Sequence, residues 1–348
     1  MRTGSFKRSY AELTALTDSA LVWTAIGMLG VILLLMPLTA GNYALTIATA
    51  AMVAIVGAVG LNLLTGTTGL ISVGQSGFLA IGAYANGILL ADYHWPIWFS
   101  LPTAGLIAAL LSLLVGIPSL RLKGLYLAIT TLAFAFIVSH VILYAEKLTH
   151  GPNGIFLPKV FVFGFDLAKD SHLFYFVLAI TVLTVLAALN LARTRIGRAW
   201  IAIRDHDIAA RAMGIDLVRY KLLAFMISSF FVGIAGALLS LQIRFVNVDV
   251  FSLILSIEAL AMIILGGLGS IAGAILGAIF LTLLPEAIRI AFATFGDPNS
   301  TTYTTYVYEI RGIAYGVVIV AFLRFKPDGL IGLWRDTRKY WSNWPLAH

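Results

Sequence analysis

Cysteine is absent from the 348 residues, which rules out disulfides, thiolate catalysis and cysteine-ligated metals, although it says little about compartment. Charge is scarce as well. Asp, Glu, Lys and Arg make up 11% of the chain, where a soluble domain carries roughly a quarter. No Gly-Lys dipeptide occurs, so there is no P-loop, and the glycine-rich run Leu265–Ser270 lies between apolar stretches instead of following a soluble strand. The six histidines, His94, His140, His150, His172, His206 and His348, include no i, i+4 pair and have no acidic cluster beside them, which argues against a metal centre. Missing too is the alternation of polar and apolar positions, in segments of roughly ten residues, that marks an outer-membrane barrel.

What is present in abundance is apolar sequence: 60% hydrophobic residues and a mean hydropathy of +0.96. Runs this long cross a bilayer as helices, because helices satisfy their own backbone hydrogen bonds where no water can. The class expected is therefore all-α, a polytopic bundle of about ten transmembrane helices. Spans are expected near 20–38, 43–62, 70–90, 97–118, 124–145 and 173–192, and after a polar loop near 221–243, 251–267, 271–290 and 309–324. The first run is read as a span, not a signal peptide, since Leu21–Leu38 exceeds an ordinary h-region and Leu38-Thr39-Ala40 is a poor cleavage site. Glycines crowd at 63–69 and 266–270, where re-entrant or broken helices are an alternative to simple turns. Leu64–Gly69 and Leu265–Gly269 echo each other faintly.

Residues 193–221 carry seven Arg or Lys against three Asp. Basic residues in short loops stay on the cytoplasmic side, so this loop sets the orientation. Six crossings precede it and four follow, placing tail 1–19, tail 325–348, and Arg121 and Lys123 inside. The long 146–172 segment, with three Lys and three acids, falls outside. The net charge of +7 follows from this topology and does not form the aromatic-studded basic face of a nucleic-acid binder. The permease domain then spans 20–324, with the 193–221 loop inside it.

Within the loop, Asp205 or Asp207 can cap a short helix and Gly214 can end it in a left-handed conformation. A helix of two turns is marginal alone, so it docks on something, either a partner or its own bundle and membrane. Ile208, Ala212 and Ile215 offer small apolar groups to a groove, and Arg204 and Arg211 offer charge-assisted bonds. Inside the spans, Glu258 and Arg311 are the costliest groups to bury. Glu258 is either a partnered carboxylate that fixes packing or part of a polar cavity. Glu309 lies near the outer end of its span. With so few titratable groups, a proton relay is not supported, and no clustered groups suggest an intramembrane enzyme. Small residues at four-residue spacing, Ala83/Gly87, Gly269/Gly273/Gly277 and Gly312/Gly316, are read as packing seams.

The stretch TRIGRAWIAIRDHDIAARAMGI and the following DLVRYKLLAFMISSFFVGIAGAL resemble the permease family of ABC importers for branched-chain amino acids, of the LivM type. Four more blocks agree in order: residues 60–85, 120–142, 151–155 and 256–280. The resemblance implies an inner-membrane subunit that pairs with a homologous LivH-type permease. Two separate ABC ATPases, holding ATP and Mg, would bind its cytoplasmic face, and a periplasmic binding protein would deliver substrate. This chain would bind no cofactor itself. Asp207–Gly214 is similar to the coupling helix, and Ala209-Ala210-xxx-Gly214 matches part of the importer EAA motif. Ile208 stands where that motif has Glu, leaving Asp205, Asp207 and Arg211 as candidate docking groups. Thr149-His150-Gly151 departs from the Thr-Gly-Gly of many relatives.

For the path itself, Asn62, Gln75, Ser76, Thr130 and Thr131 are the candidates, because a zwitterion in the membrane needs hydrogen-bond partners. Helix-to-helix bonding is the alternative role for each. Related importers carry urea or short amides, and a stand-alone carrier or channel would use a similar bundle.

Overall fold

The computed structural model describes residues 20–120, 122, 124–162, 164–295, 312–313, 315–317, 319–322, 324, 326 and 328–343. Arg121, Lys123, Glu309, Arg311 and the 1–19 tail lie outside the described residues. Twelve helices are named here in chain order: α1 (Ala20–Thr39), α2 (Asn42–Leu61), α3 (Gln75–Ala91), α4 (Ile97–Ser119), α5 (Leu125–Tyr144), α6 (Asp170–Arg193), α7 (Arg195–Asp205), α8 (Asp207–Ala212), α9 (Leu217–Ile243), α10 (Leu253–Gly266), α11 (Ile271–Phe295) and α12 (Gly329–Asn343). Among the described residues the four β-strands are two residues long each, and Ile155–Phe156 pairs antiparallel with Phe245–Val246. The architecture is all-helical. Among the described residues, six helical segments are long and apolar enough to cross a membrane: Asn42–Thr67, Ile97–Ser119, Leu125–Tyr144, Asp170–Arg193, Leu217–Ile243 and Ile271–Ile290.

The outer surface suits hydrocarbon, not water. Along α4, Leu106, Leu110, Leu114 and Ile117 are 55–66% exposed, an apolar stripe no soluble domain would leave bare.

At the centre, α9 packs against α2, α3 and α4. Small residues make this possible. A Cβ on Gly82 would sit 2.0 Å from the Gly233 carbonyl oxygen, and one on Gly236 would sit 2.1 Å from that of Leu79. The α3 and α9 backbones therefore touch, and dispersion between closely apposed helices replaces the hydrophobic drive that lipid cannot supply. Ser228 donates to Gly60 O at 2.8 Å, stitching α9 to α2. The small-residue seams also hold at Gly273 and Gly277, which press on the Gly266 and Met262 carbonyls of α10. Gly312 and Gly316 meet nothing within 4 Å, so the third seam packs against none of the described residues.

The glycine-rich 63–69 stretch is a break. Asn62–Thr67 continues α2 as a π-helical turn, and the chain then runs irregularly until α3 begins at Gln75. The expected span at 70–90 is thus a helix of 17 residues, roughly 25 Å at 1.5 Å per residue, entered from an unwound segment. At 266–270 the glycines make a tight turn, with φ of +120° at Gly267 and +80° at Gly269, between α10 and α11.

Candidate functional site

The basic loop folds into an arm built from α7 and α8. Thr194 caps α7 by accepting from Gly197 N–H. Gly197, Ala199, Trp200 and Ile203 form its buried face, a helical spacing, while Arg195, Arg198 and Arg204 lie on the exposed side. Trp200 is completely buried, and its indole Nε1 donates to Tyr220 O at 2.9 Å. Asp216 caps α9, its Oδ1 accepting from the Val218 and Arg219 amides at 3.1 and 3.2 Å.

Between them α8 projects outward. The expected cap is corrected: His206, in an extended conformation, occupies the N-cap position without a side-chain capping bond, and Asp207 is the first helical residue. A carboxylate there still suits the positive end of the helix, and local backbone geometry rather than a cap starts the turn. The C-terminal expectation holds. Gly214 sits at φ +85°, Ile215 N donates to Ala210 O at 3.1 Å and Gly214 N to Arg211 O at 3.0 Å, the paired bonds of a Schellman ending. Ala210 is buried, whereas Asp205, Ala209, Arg211 and Ala212 are exposed and Ile215 is half-buried. Ile208 and Met213 are 69% and 84% exposed, an apolar pair held out on a short rigid element.

Arg204 is exposed, yet its guanidinium also reaches back to the bundle. Its Nη1 donates to Gly66 O at 2.6 Å, in the π-helical turn. That carbonyl is free because Leu70 N bonds back to Leu64 O instead. In the same place, Asn62 Oδ1 accepts from Gly269 N at 2.9 Å. The two glycine-rich segments that echo each other in sequence therefore meet beside Arg204. A cavity of about 330 Å³ opens here, lined by Thr68, Gly69, Ile203, Asp205, His206 and Lys221 among others.

The path candidates separate into two groups. Asn62, Gln75, Ser76 and Thr131 are buried, and each bonds to another element or to the unwound segment. Gln75 Nε2 donates to Gly57 O at 3.1 Å, and Val73 N donates to Thr131 Oγ1 at 2.9 Å. Ser256 Oγ accepts from Ser76 N at 2.8 Å and donates to Ser76 Oγ at 2.9 Å. Ser76 also lines a cleft of about 290 Å³ with Phe136, Ser139, His140, Asp249 and Leu253. Thr130 stands apart, its hydroxyl donating back to Tyr126 O in its own helix. Glu258 is half-buried on α10. Sequence reasoning missed Asn86, fully buried, which donates to Ala237 O and Ser240 Oγ and accepts from Ser100 Oγ, joining α3, α9 and α4. A lone Asn in an apolar run was the available signal.

Comparison with known proteins shows the family. The family model described as "Branched-chain amino acid transport system / permease component" matches residues 43–323. The chain belongs to this permease family. It is 34% identical to the high-affinity branched-chain amino acid transport system permease protein LivM of Salmonella typhimurium over 327 residues, covering 87% of this chain and 73% of the relative. Against LivM of Escherichia coli it is 35% identical over 317 residues, 84% of this chain and 71% of the relative. A probable LivH permease of Methanocaldococcus jannaschii is 27% identical over 306 residues, 82% and 90% of the two chains. No solved structure matches. As a permease component it has no ATPase of its own, in keeping with the absent P-loop.

Within this permease the His150 departure becomes physical. His150 adopts φ +60°, a left-handed conformation that glycine takes freely, and its Nε2 lies 3.2 Å from Asp92 Oδ2.

Proposed function

We propose that this permease is the LivM-type translocating subunit of an inner-membrane importer for branched-chain amino acids. It crosses the membrane about ten times through residues 20–324, with the 1–19 and 325–348 tails and the arm in the cytoplasm. A homologous LivH-type subunit completes the path, and a periplasmic binding protein supplies substrate. Two separate ATPases, with their ATP and Mg, grip the 205–214 element. The observation that carries this reading is α8 itself: Ile208 and Met213 are held exposed on a helix ended by a left-handed glycine, beside a polar cavity. An apolar pair on a rigid projection suits a groove on a partner, with Asp205, Asp207 and Arg211 as polar contacts at its rim. Substrate passage is assigned to the cleft beside Ser76, whose lining mixes apolar side chains with hydroxyls.

Copurification tests the reading. The tagged subunit expressed with its neighbouring genes should bring down two ATPase chains, and Ile208→Asp should lose them. Recovery of the subunit alone in both cases, or nucleotide-independent uptake by the purified chain in vesicles, would overturn it. Uptake of labelled leucine, urea and short amides in a strain lacking the gene identifies the solute.

A further inference from the structure

We infer that Arg204 and Asn62 act as positioning residues, forming a joint that makes the arm and both glycine-rich breaks move as one body. The inference rests on the importer reading for its functional meaning, but its geometry is independent of any partner. Three elements converge. The arm contributes the Arg204 guanidinium, the end of α2 contributes Gly66 O and Asn62, and the α10–α11 turn contributes Gly269 N. Each bond fills a backbone group left open where regular helix stops: Gly66 O, passed over by Leu70 N, and Gly269 N, in a turn at φ +80°.

The packing is equally closed. A Cβ on Gly66 would lie 2.4 Å from Gly269 N, and one on Gly269 would lie 2.4 Å from Arg204 Nη1. Gly69 presses on the Arg204 side chain, where a Cβ would meet its Cγ at 3.3 Å. The turn is gripped from its other side as well, since a Cβ on Gly267 would meet Ile331 of α12 at 2.5 Å. Displacing the arm therefore pulls directly on the backbone of both breaks. A charged donor on a backbone carbonyl is among the stronger hydrogen bonds, which lets so small a contact transmit force. Asn62 Nδ2, by contrast, is buried without a hydrogen-bond partner among the described residues.

Amide hydrogen exchange on the purified subunit tests the joint without transport. Asn62→Ala should speed exchange at Gly269, and Arg204→Gln should speed it across 62–70 and 267–270, each by about tenfold or more, the effect of losing one such bond. Arg204→Lys, which keeps the charge but has shorter reach, should fall between. Arg195→Gln, a charge loss at the exposed start of the same helix, should match wild type. Unchanged protection along 224–241 certifies that a variant is folded. Wild-type exchange at the joint in folded Arg204→Gln and Asn62→Ala overturns the proposal and leaves the importer reading standing. In the reconstituted complex, Arg204→Gln should keep its ATPase subunits bound yet deliver about tenfold less substrate per ATP; wild-type stoichiometry there also counts against the joint. Loss of the ATPases from wild type itself would instead sink the importer reading.

Discussion

Trp200 and Tyr220 lie twenty residues apart on either side of the projecting α8, and the Trp200 indole N–H donates to the Tyr220 carbonyl at 2.9 Å. This contact closes the base of the arm. It roots α7 on the first turn of α9, the helix at the centre of the bundle, so α8 is carried on a closed loop and not on a flexible strand.

Removing that root should free the arm without dissolving the bundle. Trp200→Ala is expected to cost about 3–5 kcal/mol, the range for emptying a buried aromatic site. Trp200→Phe, which loses the N–H bond and part of the ring volume, should cost less, about 1–2 kcal/mol. Thermal unfolding and local exchange across 195–221 measure both. Equal effects would mean that packing at Trp200 is unimportant.

Gly214 tests the rigidity of the projection. Its φ of +85° strains any side chain, although a Cβ there would meet nothing within 4 Å. Gly214→Val should therefore leave the subunit assembled while costing about 1–3 kcal/mol locally and misaligning α8. The expected result is ATP hydrolysis with uptake reduced severalfold in the reconstituted complex; wild-type coupling would reject the role given to this turn.

The contact between α3 and α9 sets a different tolerance. Gly236→Val would drive a side chain into the Leu79 carbonyl, which belongs to backbone and cannot turn aside. Little monodisperse protein should be recovered after detergent extraction. Gly316→Ala, at an open position among the described residues, should change the isolated subunit's melting temperature little, corresponding to within about 0.5 kcal/mol.

Ser76 and Ser256 should respond unequally. Ser256→Ala leaves the buried Ser76 N–H without an acceptor and is expected to cost about 1–3 kcal/mol. Ser76→Ala keeps that backbone bond and should cost less. Melting temperatures of both variants and the double mutant measure the coupling, and equal losses would contradict the arrangement. Uptake falling in Ser76→Ala beyond its stability loss would place this serine in the path.

Composition and run length by themselves determined that this chain is a bundle of apolar helices, because crossing hydrocarbon demands long self-satisfied segments and tolerates few charges. The left-handed Gly214 ending and the irregular backbone around 63–69 and 266–270, a break at the first and a tight turn at the second, were also legible, since glycine marks backbone that other residues resist. Tertiary structure alone decided what meets what. Arg204 has the same sequence appearance as Arg211, and both suggest a partner outside, yet among the described residues Arg204 finds an open carbonyl within reach, 138 residues earlier at Gly66. Asn62 and Gly269 are likewise joined across 207 residues. Local sequence encodes which backbone groups a helix end leaves unpaired; which distant side chain fills them depends on how the helices pack.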